Sequence, residues 1–203
     1  MKLLRSLICL FLLLPALTFA AQFTAGKDYK VISGSAPAGV TVTDKTVMEF
    51  FNPGCPACFA ADDAVEAWLK TQPKSVTFVR VPLVYHQQWE IYAKAYYVAE
   101  AYGVENKFTP EVFNMLHKQG KTLQKESDYY PIFAKLGVNE QKVKNAFASS
   151  SLNIKLQQGQ ALMQAYRVFQ IPSFVVGGKY YTNPSLAGSP ERMMQIVDFL
   201  LKK

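Results

Sequence analysis

Histidine and cysteine are scarce in this chain, and long apolar runs are missing after its first 20 residues. Two histidines and three cysteines occur among 203 residues. His86 and His117 stand far apart and do not form a ligand pair, so a closed metal site lacks donors. So few cysteines exclude the disulfide framework of a small secreted scaffold. No later stretch stays apolar for the roughly 20 residues that a membrane-spanning helix requires. No Gly-rich phosphate loop and no paired nucleophile and base appear between His86 and Val168. The formal net charge is +7, to which Lys2 and Arg5 contribute two. The remaining lysines are scattered, which describes a solvated surface and argues against a nucleic-acid footprint. What is present in quantity is apolar side chain. At 50% hydrophobic residues, the chain can bury the core of one domain with an insertion.

Residues 1–20 have the order of a secretory signal. Lys2 and Arg5 form a charged start, residues 7–14 an apolar centre, and residues 15–20 a cleavage region. Thr18 and Ala20 place small side chains where a signal peptidase inspects them, so cleavage is expected after Ala20. Cys9 lies inside this segment, and Ser6-Leu7-Ile8 ahead of it makes a poor lipidation site. The mature chain is therefore expected to be soluble and exported, with Cys55 and Cys58 as its two thiols.

Those two thiols sit where the pattern changes from strand to helix. Val47, Phe50 and Phe51 predict a buried strand, and Asn52-Pro53-Gly54 stops it. Pro56 suits a first helical turn, where its missing N–H costs nothing. Cys55 then falls at a helix N-terminus, whose free N–H groups and dipole favour a thiolate. Cys58 returns to the same face one turn later. A Cys-x-x-Cys placed in this way reads as a redox centre. An inert structural disulfide and half of a zinc site are the alternatives. A bridge closing so short a loop removes little chain entropy, and zinc lacks two further ligands.

Along the rest of the chain, residues 29–32 read as an edge strand and residues 75–81 as a strand after the redox helix. Together with the strand at Thr46 they imply a βαβ unit with parallel inner strands. Residues 86–168 carry helix signals alone. Trp89, Tyr92, Ala93, Tyr96 and Ala99 line one helical face and read as core. Thr109-Pro110-Glu111 reads as a cap with proline at the first helical position. Further helices are expected over 127–136, 139–148 and 153–168. Ile171-Pro172 then leads into two apolar runs joined by Gly177-Gly178, a hairpin signal. Proline has no N–H for a sheet, so Pro172 belongs at a strand start or edge, in a cis or a trans bond. Ser189-Pro190-Glu191 opens the last helix.

In this order the pieces resemble an α/β thioredoxin fold with an inserted helical domain. They divide as a first thioredoxin part over 21–83, an insertion over 84–165 and a second part over 166–203. Within that superfamily the chain is similar to the DsbA family of bacterial periplasmic thiol oxidases. Glu49-Phe50-Phe51 before Cys55-Pro56-Ala57-Cys58 carries the resemblance, as do residues 101–107, Ile171-Pro172, Gly177-Gly178-Lys179-Tyr180 and Asn183-Pro184. The resemblance implies a nucleophilic Cys55, a resolving Cys58, a cis peptide at Pro172 and a buried acid at Glu49. It implies oxidation of exported proteins with reduced cysteines, through a mixed disulfide, without a cofactor. Reoxidation would come from a DsbB-like membrane partner that passes electrons to quinone. A monomer in the periplasm is expected. Ala57 departs from the Cys-Pro-His-Cys of the best-known members, so a milder oxidant is expected. An isomerase or reductase of the same fold, and a peptide-binding or chaperone module with an incidental disulfide, are the rival readings. An isomerase of this superfamily usually carries an N-terminal dimerisation domain, for which the segment before Thr46 leaves no room.

Overall fold

The computed structural model describes residues 23–203. The signal segment and its cleavage point after Ala20 lie outside the described residues. Five strands, β1 (Lys30–Val31), β2 (Thr46–Phe51), β3 (Thr77–Pro82), β4 (Ser173–Val176) and β5 (Tyr180–Thr182), form one mixed sheet in the order β1-β5-β4-β2-β3. β2 runs parallel to β3 and antiparallel to β4. All six residues of β2 are buried, because helices cover both sheet faces. Its side chains alternate accordingly. Val47 packs with α1 (Pro56–Leu69) and α8 (Pro190–Leu200), whereas Met48 and Phe50 pack with Leu162 and Tyr166 on the other side.

The connection from β3 to β4 is helical. It comprises α2 (Glu90–Ala101), α3 (Glu105–Phe113), a π-helical turn (Asn114–Lys118), α4 (Tyr130–Lys135), α5 (Glu140–Phe147) and α6 (Ser150–Ala165). Its aromatic side chains make their own core, with Phe108 stacked on Phe133 at 5.1 Å. Phe51, Cys55 and Cys58 belong to that same core, so the insertion grows directly from the redox turn. Trp89 of the expected stripe lies half-buried in a 3-10 turn ahead of α2. α2 buries Tyr97 and Val98 as well as Tyr92, Ala93, Tyr96 and Ala99 of that stripe, because it is gripped by α6 on its second side. Gly159 of α6 makes room there, since a Cβ would come within 2.9 Å of the Tyr97 hydroxyl. This architecture is the α/β thioredoxin fold with an inserted helical domain.

Three local expectations are corrected. Thr109-Pro110 does not open a helix. Pro110 lies inside α3, which starts at Glu105. A proline inside a helix costs roughly 3 kcal/mol. The fully buried Phe108, Val112 and Phe113 flank it, and such side chains contribute roughly 1.5–3 kcal/mol each, so burial wins. α6 begins at Ser150 rather than residue 153, with Ser149 in an extended capping conformation and Leu152 buried. A short helix α7 (Pro184–Ala187), capped by the Asn183 side chain on the Leu186 N–H, was not anticipated. The hairpin turn has Gly177 and Gly178 at φ 60° and 66°, the left-handed pair that matches strand twist.

Candidate active site

Cys55 is the N-cap of α1, in an extended conformation, with Pro56 at the first helical position. Its Sγ accepts a hydrogen bond from the Cys58 N–H at 3.3 Å. Asn52 holds the turn before it. The Asn52 carbonyl accepts the Cys55 N–H at 2.9 Å. The Asn52 side chain accepts the Gly54 N–H at 2.8 Å and donates to the Leu83 carbonyl at 2.8 Å. A Cβ at Gly54 would lie 2.7 Å from the Tyr92 ring, so glycine is required by contact. Both thiols are free. Cys55 is 5% exposed and Cys58 1%, a slight difference in access. Their acidities differ far more. The Cys58 thiol, with the backbone N–H groups of Cys58 and Ala57, lowers Cys55 to about 7 against the opposing effect of burial. Burial drives Cys58 well above the ordinary thiol value, helped by the hydrogen bond it gives Cys55.

The Ile171–Pro172 peptide is cis. The Ile171 carbonyl lies 3.9 Å from the Cys55 sulfur, so β4 begins at the dithiol. Pro56 and Ala57 are exposed at the helix start, and Pro172 is buried. Phe169, two residues before Ile171, is 80% exposed.

Glu49 is 1% exposed, because helices cover both faces of β2. Three residues that sequence reasoning passed over, Arg80, Asp62 and Glu66, accompany it. Arg80 Nε donates to Glu49 at 2.7 Å and Arg80 Nη2 to Asp62 of α1 at 2.7 Å, with Glu66 at 3.3 Å. Glu49 and Arg80 are register partners on the parallel strands β2 and β3. An opposite charge in each of two adjoining apolar runs was the available signal. Burial raises Glu49 in spite of Arg80, and raises Asp62 to about 6. Burial opposes the charge on Arg80, but Glu49 and Asp62 outweigh it and keep the guanidinium protonated. The charge of Glu49 also disfavours both thiolates. The cluster is therefore a buried set of carboxylates around Arg80 whose proton affinity burial raises, electrostatically coupled to the dithiol. Among the described residues, no group of three or more His, Cys, Asp or Glu could hold a metal.

Residues 46–198 match the DSBA-like thioredoxin domain family. The chain belongs to this family. It is 33% identical over 179 residues to the thiol:disulfide interchange protein DsbA of Burkholderia cepacia, covering 88% of this chain and 84% of that one. It is 32% identical over 205 residues to the Pseudomonas aeruginosa DsbA, covering 98% and 96%. The crystal structure of Pseudomonas aeruginosa DsbA superposes with a TM-score of 0.79 at 30% identity, over 89% of this chain and 93% of that one. Oxidoreductase DsbA from Xylella fastidiosa gives 0.77 at 26% identity, over 88% and 96%. The DsbA relatives thus extend over both the sheet and the helical insertion, so the likeness is not confined to the Cys-x-x-Cys turn.

Proposed function

We propose that this DsbA-family thiol:disulfide oxidoreductase donates a Cys55–Cys58 disulfide to exported proteins. The observation that carries the reading is the split acidity of the two thiols at one helix start. A substrate thiolate attacks Cys55 Sγ, the Cys55–Cys58 bond breaks, and Cys58 leaves with the electron pair. A buried Cys58 thiolate is unfavourable, so a proton must follow it. The raised Glu49 carboxyl, with Asp62 behind Arg80, is the local acid suited to supply one. A second substrate thiolate then attacks the substrate sulfur of the mixed disulfide and expels Cys55. Cys55 is the better leaving group because its thiolate is stabilised. Two electrons and two protons pass from substrate to protein. A DsbB-like membrane partner returns the electrons to quinone and restores the disulfide.

The exposed Phe169 side chain shortly before Ile171 supports loose apolar contact with unfolded chains and so a broad choice of substrates. The signal-like order of residues 1–20 supports a periplasmic site of action, and no described helix is long and apolar enough to cross a membrane. Cys58→Ser should accumulate mixed disulfides with exported proteins in bacteria, visible as bands that collapse on reduction. Cys55→Ser should accumulate none. Adducts forming through Cys58 in the Cys55 variant would reverse the roles.

A further inference from the structure

His117 has no metal-ligand partner in the sequence, and the reaction above does not use it. The fold brings it 64 positions back along the chain to the redox turn, where its Nε2 lies 2.8 Å from the Pro53 carbonyl. We propose that His117 is a positioning residue that clamps this turn and thereby sets the geometry in which Cys55 meets its donors. The inference rests on Cys55 being the reactive thiol.

A carbonyl can only accept, so His117 must carry its proton on Nε2 in this contact. The bond persists whether the ring is neutral or charged, because the proton in question is present in both forms. Pro53 is buried, and a buried carbonyl without a donor is costly. The imidazole is also fixed from the other side of Cys55. It stacks on Phe59 of α1 at 4.9 Å and 13°, and tilts against Phe113 at 5.8 Å. Phe59 directly follows Cys58, so one ring touches the turn before Cys55 and the helix after it.

The element that carries His117 supports the same conclusion. Residues Asn114–Lys118 form a π-helical turn, closed by the Gln119 N–H on the Asn114 carbonyl at 3.0 Å. Such turns widen a helix by one residue, redirect the side chains at its end, and recur at functional sites. A histidine that merely filled core space would not need a hydrogen bond to the loop that presents the nucleophile.

The test separates the donor from the ring. His117→Phe keeps the stack on Phe59 and deletes the N–H. His117→Gln keeps an amide N–H donor and deletes the ring. Thiolate absorbance against pH gives the Cys55 ionisation, and glutathione equilibration gives the redox constant. His117→Phe should shift both constants about threefold or more, the size of one net hydrogen bond, and His117→Gln should restore most of that shift. A shift in His117→Gln with none in His117→Phe would assign the effect to the ring and overturn the clamp, as would equal shifts in the two variants or no shift in either. On the unaltered protein, imidazole ¹⁵N shifts should show Nε2 protonated; an unprotonated Nε2 overturns the proposal without any variant. Failure of the unaltered protein to oxidise a dithiol peptide would instead refute the function, while the Cys55 ionisation would still report on the clamp.

Discussion

Replacing Cys58 with alanine isolates what makes Cys55 acidic. Cys55 falls from 9.0 to about 7, and two pKa units correspond to about 2.7 kcal/mol of preference for the thiolate. Three donors supply this against burial: the Cys58 thiol first, then the backbone N–H groups of Cys58 and Ala57. The alanine variant removes the first and leaves the other two, since α1 and its N-cap are unchanged. A hydrogen bond to a charged group contributes roughly 1.5–3 kcal/mol. Loss of the largest donor should therefore raise Cys55 by about one unit or slightly more, about 1.4 kcal/mol. At pH 7 the thiolate fraction would drop from about one half to about one tenth. Thiolate absorbance in the single-cysteine variant reads this directly. A Cys55 that still titrates near 7 in Cys58→Ala would show that the backbone N–H groups suffice and would refute the ranking of donors.

The same energies set the pH dependence of the reduced protein. With the folded value of Cys55 below the unfolded one, the thiolate's contribution is complete above pH 9 and disappears as pH falls through 7. Urea unfolding of the reduced form should gain stability over that window and the oxidised form should not; parallel curves would refute it. Ala57→His, at an exposed position beside the sulfur, should lower the Cys55 pKa and raise the potential together, about 30 mV for each 1.4 kcal/mol; no change in either would leave Ala57 without functional meaning. Asp62 behaves in the opposite sense, because its raised value favours the folded state below about pH 4 and the benefit is lost as pH rises through 6. Asp62→Asn should flatten that slope in unfolding measurements, and an unchanged slope would show that Asp62 does not titrate with folding.

Much of the fold was legible because local signals and burial agree. The strand, Asn-Pro-Gly stop, Pro56 and Cys-x-x-Cys run together on β2 and α1, and Gly177-Gly178 marks its hairpin. The misreadings share one cause. Pro110 and Arg80 look like breaks in apolar order, yet each is overridden by partners distant in the chain. Arg80 needs Glu49 and Asp62 around it to be buried, and apolar spacing gives no hint of such partners. His117 has an ordinary sequence context, and its meaning lies in Pro53, which only the folded insertion brings within reach.

The central claim is that Cys55 and Cys58 form a disulfide that is passed to another protein. The most direct test mixes oxidised protein with an equimolar reduced peptide containing two cysteines and follows both masses after acid quenching. The account predicts that the peptide loses two hydrogens as the protein gains two, through a transient adduct at Cys55. A peptide that stays reduced while the Cys55–Cys58 bond remains intact would contradict it.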